Sequence, residues 1–225
     1  METRDLEFSS AVEDYAKAIY ALENGGEGTV STTALAERLQ VTAASASSMM
    51  RRLGELGLVD HMPYKGVRLT PDGVRLALEV LRHHRLLELF LTEALDVPWD
   101  RVHAEAEILE HVLSEELEEL IAAKLGHPTR DPHGDPIPTR DLVLEDVQTE
   151  ALAGIGRGCR GTLVSVSDSD PDMLRYLSER GIRPGDQFEV VDKQPFGGPL
   201  FVSFGNEVHA FGGDLAQAMR VELSR

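Results

Sequence analysis

Residues 99–125, WDRVHAEAEILEHVLSEELEELIAAKL, decide how this chain is interpreted. The stretch contains no proline or glycine and repeats its apolar residues at helical spacing, which predicts one continuous helix. His103, Glu107, Glu110 and His111 stand at i, i+4, i+7 and i+8, so they share one stripe of that helix. Two imidazoles and two carboxylates without a thiolate suit manganese, iron(II), cobalt, nickel or zinc.

A plainer interpretation competes, because an acidic stripe on an amphipathic helix is usually a solvated face. Two neighbouring segments favour the metal site. Residues 80–91 form a second predicted helix with His84 and Glu88 at i and i+4, and a third helix, starting near residue 8, carries Glu13 and Asp14. Together the three segments predict a site that no single helix provides.

Length and composition restrict the class of protein. The 225 residues, 42% of them hydrophobic, are enough for one large globular domain or two to three small ones. No run approaches the roughly 18 apolar residues of a membrane span, and the N-terminus has no signal-peptide pattern, so we expect a cytoplasmic protein. The single cysteine, Cys159, excludes an intrachain disulfide framework and a cysteine-rich zinc site.

The net charge of −17 argues at first against a nucleic-acid partner. The acid is concentrated in residues 76–150, which carry 18 acidic and 6 basic residues, whereas residues 1–75 carry 11 and 8. The N-terminal third is therefore nearly neutral and can present a local basic face.

The N-terminal third has the pattern of a winged helix-turn-helix. A helix over residues 9–23 precedes two short helices, residues 31–40 and 43–57, which are joined by a tight turn. Strand-like runs at residues 58–61 and 66–69 then surround a turn, and Thr-Pro-Asp-Gly starts a new helix. The two strands distinguish this arrangement from an ordinary helical hairpin, the alternative for two helices alone.

If the second short helix enters a major groove, its first residues face base edges. These are Thr42, Ala44, Ser45 and Ser48. They lack a bidentate side chain, so specificity per half-site should be modest, which favours a dimer on a pseudo-palindromic operator of double-stranded DNA. Basic residues placed for phosphate contacts are Arg51, Arg52, Lys65 and Arg68.

The remaining chain divides into a helical and a β-rich part. A long helix over residues 70–95 and the helix after it have more apolar surface than one small layer hides, which predicts a dimer interface; packing on the DNA-binding unit is the alternative. The apolar residues concerned are Leu86, Leu87, Leu89, Phe90, Leu91, Leu109, Val112 and Leu113. A proline-rich connector follows, and short alternating runs from about residue 158 predict a small β barrel.

We therefore expect a mainly α protein with a small β domain. The predicted domains are a winged helix-turn-helix at residues 1–75, a helical dimerisation and metal-binding domain at 76–142, and an SH3-like, FeoA-like barrel at 150–225.

Several motifs together resemble the diphtheria toxin repressor / manganese transport regulator family of metal-dependent bacterial transcriptional repressors, over essentially the whole chain. They are VEDYAKAIYALE, GLVDHMPYKGVRLTPDG, HHRLLELFL, VHAEAEILEHVLSEELE and HPTRDPHGDPIP, with the SH3-like domain after them. The resemblance implies a homodimeric repressor with metal as corepressor, and no enzymatic activity. A metalloenzyme and a metal-buffering or ferrous-transport accessory protein are the alternatives, but both leave the winged helix unexplained.

The resemblance also implies two ions per subunit. Its primary site falls on Asp14, Glu107, Glu110 and His111. Its second site falls on His84, Glu88 and His103, with Asp170 and Asp172 as the expected helpers from the SH3-like domain.

The metal implied is Mn²⁺, with Fe²⁺ as the alternative. Iron-type members carry Met and Cys where this chain has Asp14 and Glu107, and hard oxygen ligands suit Mn²⁺. Lys17 stands where manganese-type members have a further acidic ligand, which argues against a two-manganese cluster of that kind and predicts pairing with a neighbouring carboxylate.

Overall fold

A computed structural model describes residues 8–25, 28–145 and 147–224. The chain divides into two compact units. The first comprises residues through His83 together with Glu110–Leu113 and Pro138–Val143, and the second comprises His84–Leu109, Ser114–Ile137 and the chain from Leu144 onward.

The first unit contains the predicted helix-turn-helix, which is confirmed. Its helices are α1 (Ser10–Asn24), α2 (Thr32–Arg38) and α3 (Ala43–Glu55). The hydroxyls of Ser31 and Thr42 accept hydrogen bonds from the backbone N–H groups three residues on, so each fixes the start of its helix. Fully buried Ile19, Leu35 and Leu53 contribute one side chain from each helix to a common core.

The wing is an antiparallel pair of short strands, β1 (Val59–Met62) and β2 (Gly66–Leu69). Its base is held against residue 30, because Val30 and Val67 exchange two backbone hydrogen bonds of 2.8 and 2.9 Å. Gly66 has φ +114°, and a Cβ there would lie 2.0 Å from the carbonyl oxygen of Val30. Only glycine allows this close approach.

The long helix α4 (Pro71–Leu95) is confirmed, but the prediction of one helix over residues 99–125 is wrong. Two shorter helices occupy the stretch, α5 (Val102–Leu109) and α6 (Glu115–Lys124). The hydroxyl of Ser114 accepts a hydrogen bond from Leu117 N, and three glutamates fill the first turn of α6, so a new helix is favoured there over continuation. Glu110 and His111 therefore lie beyond the end of α5 rather than on its stripe.

The second unit contains a six-stranded antiparallel sheet in the order β3-β8-β4-β5-β6-β7. The strands are β3 (Glu150–Ala151), β4 (Arg160–Val166), β5 (Gln187–Lys193), β6 (Leu200–Phe204), β7 (Glu207–Phe211) and β8 (Met219–Leu223). A 3-10 turn (Leu152–Gly154) and the helices α7 (Pro171–Ser178) and α8 (Gly213–Ala218) complete it. Trp99, from the connection between α4 and α5, belongs to the core of this sheet.

The proline-rich connector has no helix or strand, as predicted, but it is packed rather than simply extended. Asp131 and His133 are buried. The Asp131 carboxylate accepts hydrogen bonds from the backbone N–H groups of His133 and Asp135, and Val166 N in β4 donates to His133 O at 2.9 Å. These contacts fix the connector against β4.

The surface predicted for dimerisation needs correction. Leu86, Leu87, Leu89 and Leu91 are buried within the chain, so they are not available for a dimer interface. The large apolar residues of the helical segments that remain exposed in the second unit are Leu95, Ile108, Leu109, Leu117 and Leu120. Among the described residues, no helix combines the length and the apolar character needed to cross a membrane.

Candidate metal centres and DNA-binding face

The first unit brings Asp14, Glu110 and His111 together, and we call them the first cluster. His111 Nε2 lies 2.9 Å from Asp14 Oδ1 and 3.6 Å from Glu110 Oε1. Each residue offers an oxygen or nitrogen atom, and these atoms lie within 4.8 Å of one another. Glu110 is almost completely buried, so its negative charge requires a partner.

Two further side chains complete the surroundings of the first cluster. Glu13 Oε2 lies 2.6 Å from His111 Nδ1, and Lys17 Nζ lies 2.5 Å from Glu110 Oε1. Because Glu13 can only accept from Nδ1–H, Nε2 is the ring nitrogen that faces Asp14 and Glu110, and carboxylates orient metal-binding histidines in this way. The pairing predicted for Lys17 is confirmed.

The second unit brings together His84, Glu88, His103 and Asp168, which we call the second cluster. Glu88 Oε1 lies 3.0 Å from His84 Nε2 and 3.3 Å from His103 Nδ1. Asp168 Oδ2 lies 2.9 Å from the same His103 nitrogen. His84 and Glu88 are one helical turn apart on α4, His103 lies on α5 and Asp168 follows β4, so three elements contribute.

The charges in the second cluster are strongly coupled. Burial opposes ionisation of Glu88, but hydrogen bonds from His103, His133 and His84 hold its pKa well below the ordinary value. Asp168 and Glu88 together raise the pKa of His103 to about 10. A metal ion binding at His103 Nδ1 therefore has to displace a proton.

The structure brings Asp168, and not the expected Asp170 and Asp172, to the second cluster. Asp170 is the N-cap of α7, with its carboxylate accepting a hydrogen bond from Asp172 N, and Asp172 pairs with Arg175 at 2.8 Å. Both carboxylates are thus engaged at the start of α7 rather than at the second cluster. An aspartate directly before a helix-starting proline is typical of an N-cap, and this signal already argued against Asp170 as a ligand.

Glu107, expected with the first cluster, belongs to the second unit. Its Oε1 lies 3.8 Å from His84 Nδ1 and 3.7 Å from His103 Nε2. Within its own unit it therefore borders the second cluster.

Sequence reasoning missed a third group, in which Glu88 meets Asp131 and His133. His133 Nε2 donates to the carbonyl oxygen of Trp99 at 2.8 Å, and Nδ1 lies 3.5 Å from Glu88 Oε2. Burial disfavours the imidazolium, but Glu88 and Asp131 raise the pKa of His133 to about 9. Burial, with repulsion from Asp135 and Glu88, raises the pKa of Asp131 to about 7. A histidine inside an irregular proline-rich stretch gave no periodic signal.

The donor atoms of both clusters fit a divalent metal ion. They are carboxylate oxygens and imidazole nitrogens on buried or half-buried side chains, without sulfur, and they come from separate elements that converge.

The predicted DNA-binding residues are all exposed, either at α3 or on the wing of the first unit. Ala46, Met50 and Leu53 of α3 face the core, and the opposite side is open. Exposed there and on the wing are Thr42, Ala44, Ser45, Ser48, Arg51, Arg52, Lys65 and Arg68. The hydroxyls of Thr42 and Ser45 lie 2.9 Å apart, so the start of α3 presents a paired, ordered donor and acceptor.

Comparison with known families agrees with this arrangement. The family described as "Iron dependent repressor, N-terminal DNA binding domain" matches residues 7–67, "Iron dependent repressor, metal binding and dimerisation domain" matches residues 70–139, and "FeoA domain" matches residues 151–223.

Full-length relatives and solved structures extend the comparison. The chain is 34% identical to a diphtheria toxin repressor of Corynebacterium efficiens over 93% of this chain and 94% of the relative. It is 33% identical to the iron-dependent repressor IdeR of Mycobacterium tuberculosis over 96% and 98%. A solved manganese-dependent transcriptional repressor in complex with manganese superposes with a TM-score of 0.89 at 42% identity, covering 95% of this chain and all of the other.

Three domains, two buried donor clusters and whole-length relatives thus agree, and the chain belongs to the diphtheria toxin repressor / manganese transport regulator family of metal-dependent transcriptional repressors.

Proposed function

We propose that Mn²⁺ is the corepressor and that Asp14, Glu110 and His111 bind it. The observation that carries the proposal is the chemistry of Asp14, a hard carboxylate directed at His111 Nε2, where a sulfur ligand would favour softer metals. The sequence resemblance alone adds Glu107 as a fourth ligand. That a similar solved repressor is manganese-dependent supports the same metal.

The first cluster connects metal binding to the DNA-binding face through α1. Glu13, Asp14 and Lys17 all lie on α1, and the same helix contributes Ile19 to the core that α3 shares. A bound divalent cation supplies the positive charge that Asp14 and Glu110 need to remain close. In its absence Lys17 offsets the charge of Glu110, and the repulsion between Asp14 and Glu110 would favour a displacement of Asp14 together with the start of α1.

A homodimer is expected to bind a pseudo-palindromic operator. The dimerisation domain supplies the two-fold symmetry, and α3 of each subunit reads one half-site with small hydroxyls and methyl groups. If the bound metal holds α1 in place, the α3 helices of the two subunits would keep the spacing of successive major grooves. We place the protein in the cytoplasm, where its operator is accessible.

We propose a second ion at His84, Glu88, His103 and Asp168, giving two per subunit. Because Asp168 follows β4 of the C-terminal sheet and the other three lie on α4 and α5, an ion there would tie the sheet to the helical segment. The proposed physiological role is repression of manganese uptake. Control of iron uptake by Fe²⁺ is the second candidate, favoured by the 33% identity to iron-dependent repressors.

The test is operator binding under anaerobic titration with Mn²⁺ and Fe²⁺ in parallel. The operator is selected from random DNA with metal-loaded protein, and salt is held fixed because phosphate contacts make affinity salt-dependent. We expect Mn²⁺ to activate binding at the lower free concentration. If Fe²⁺ activates operator binding at the lower free concentration, the corepressor is iron rather than manganese. If operator binding persists in the presence of a chelator, the protein does not use a metal corepressor.

A further inference from the structure

The tip of the wing carries a side chain that no folding requirement explains. Tyr64 is completely exposed, at 108% of its reference accessibility, and its backbone is left-handed with φ +63°. A bulky residue with positive φ is uncommon, because its Cβ crowds the backbone. The turn Met62–Lys65 is closed by a hydrogen bond from Lys65 N to Met62 O, with Pro63 and Tyr64 in the middle.

Turn chemistry favours glycine or asparagine at that third position, where φ is positive. A tyrosine at this position strains the backbone and exposes an aromatic ring to water. Tyr64 therefore does not stabilise the turn in which it lies. Departures of this kind cluster at functional sites, and the surroundings of the side chain decide whether it has a binding role.

The wing beneath Tyr64 is held rigidly, so the ring is presented in a defined place. One anchor is the paired backbone of Val30 and Val67. The second is His61, which packs against α3 so closely that a Cβ on Gly54 would lie 3.2 Å from its Nε2. The wing is thus fixed directly to the helix that faces DNA.

The charge around the tip indicates the partner. Lys65 follows Tyr64, Arg68 lies three residues further on the exposed side of β2, and Arg51 and Arg52 are exposed on α3. Acidic side chains dominate elsewhere in the chain, whose net charge is −17. Asp60 lies opposite Arg68 in the strand pairing, but residues 43–69 still carry four basic against two acidic residues, and this local positive charge fits a phosphate backbone.

We propose that Tyr64 is a DNA contact of the wing: its ring packs on deoxyribose in the minor groove that flanks each half-site, while Lys65 holds the adjoining phosphate. Minor-groove contacts are sensitive to groove width, so Tyr64 would add shape-dependent selectivity to the modest base readout of α3. This rests on the DNA-binding role of the family and goes beyond it by assigning a specificity residue outside α3.

The experiment compares the full-length, Mn²⁺-loaded protein with the variants Tyr64→Asn, Tyr64→Phe and Phe196→Asn. Asparagine tolerates positive φ, so the turn is kept while the ring is lost. Phe196 is a matched control, because it is equally exposed at 105% and has φ +59°, but it lies on the hairpin between β5 and β6 of the C-terminal sheet.

Two footprints separate the grooves, since hydroxyl radicals report deoxyribose along the minor groove and dimethyl sulfate reports guanine N7 in the major groove. We expect Tyr64→Asn to weaken operator binding roughly fivefold to tenfold, as losing an aromatic interface contact typically does. It should also lose hydroxyl-radical protection beside each half-site with dimethyl sulfate protection unchanged. Tyr64→Phe should keep the protection, and Phe196→Asn should bind like the parent.

Unchanged operator affinity and an unchanged footprint in Tyr64→Asn would overturn the proposal. A change of oligomeric state without a change of footprint would also overturn it, because the ring would then contact protein rather than DNA. Circular dichroism establishes whether each variant is folded. If the asparagine variant is not, Tyr64→Gly takes its place, because glycine also tolerates the positive φ and lacks the ring. If neither the parent protein nor any variant binds DNA in response to Mn²⁺, the proposal that Mn²⁺ is the corepressor is wrong, which is a different outcome from a failure at Tyr64 alone.

Discussion

Lys17 Nζ and Glu110 Oε1 lie 2.5 Å apart, and the Glu110 side chain in this pair has no exposed surface. The Lys17 side chain therefore pairs with a buried carboxylate of the first cluster. Its position, three residues after Asp14 on α1, is one from which a carboxylate would reach the same cluster. We therefore expect Lys17 to limit the number of cations that the first cluster can accept.

Replacing Lys17 by glutamate should raise the Mn²⁺ content of the first cluster from one ion to two. The change removes one positive charge and adds an oxygen ligand beside Glu110 and Asp14. Metal analysis gives the stoichiometry, and electron paramagnetic resonance detects coupling between two Mn²⁺ ions. Both are measured in a background with His84→Ala and His103→Ala, so that the second cluster does not contribute. Lys17→Gln is the control, and an unchanged ion count in Lys17→Glu would show that the ammonium does not set it.

Glu13 should matter for metal affinity although it is not among the proposed ligands. Its carboxylate lies 2.6 Å from His111 Nδ1, so it holds the ring in the orientation in which Nε2 faces the cluster. Glu13→Ala should weaken Mn²⁺ binding about tenfold, the lower end of the effect of removing such a partner. Competition with a fluorescent chelator measures the affinity. Glu13→Gln keeps a hydrogen-bond acceptor, so its Mn²⁺ affinity should fall less. Glu37→Gln, on the exposed side of α2, is the control and should keep the affinity of the parent. Equal affinities in all variants would exclude an orienting role for Glu13.

Asp168 and Asp172 give a matched pair for the second cluster. Asp168 contacts His103 Nδ1, whereas Asp172, four residues on, pairs with Arg175. Asp168→Asn should weaken binding of the second ion, because an amide oxygen is a poorer ligand than a carboxylate, and Asp172→Asn should not. Calorimetric titration of Mn²⁺ into a background with Asp14→Asn and His111→Gln isolates this ion. Loss in Asp172→Asn instead would restore the original expectation for the α7 residues.

The winged helix was predictable because its signals are local. Thr42 caps α3 and proline starts α4, and each acts within a few residues. The boundary between α5 and α6 was missed because apolar spacing continues through residues 110–114, and a capping serine is a weaker signal than a glycine or a proline. The break matters for the first cluster, because Glu110 and His111 lie after the end of α5 and are not on the same helical face as His103 and Glu107.

The composition of the second cluster was predictable only in part. His84 and Glu88 are one turn apart on a helix, so spacing alone predicts that they share a face. Asp168 and His133 reach Glu88 through the packing of the C-terminal sheet and the proline-rich connector, and no sequence period encodes that contact. A buried histidine in irregular backbone is found by tertiary structure alone.

Protons should compete with the second ion. The pKa of His103, raised to about 10 by Asp168 and Glu88, means that the metal-free protein holds a proton there at neutral pH. Because this folded-state pKa is above the ordinary 6.5, the proton stabilises the folded metal-free chain below pH 6.5, and the contribution is lost as pH rises through about 10. Solvent screening reduces its size, since the His103 side chain is 43% exposed.

Metal binding at the second cluster should therefore release about one proton per ion and strengthen as pH rises from about 7 to about 9. Calorimetry in two buffers with different ionisation enthalpies counts the protons, again with the first cluster disabled by Asp14→Asn and His111→Gln. The melting temperature of the chelator-treated protein should fall over the same alkaline range in which Mn²⁺ affinity increases. Asp168→Asn removes the main cause of the raised pKa of His103, so it should flatten the melting curve against pH. A proton count near zero, with affinity independent of pH, would mean that His103 is not a ligand of this ion.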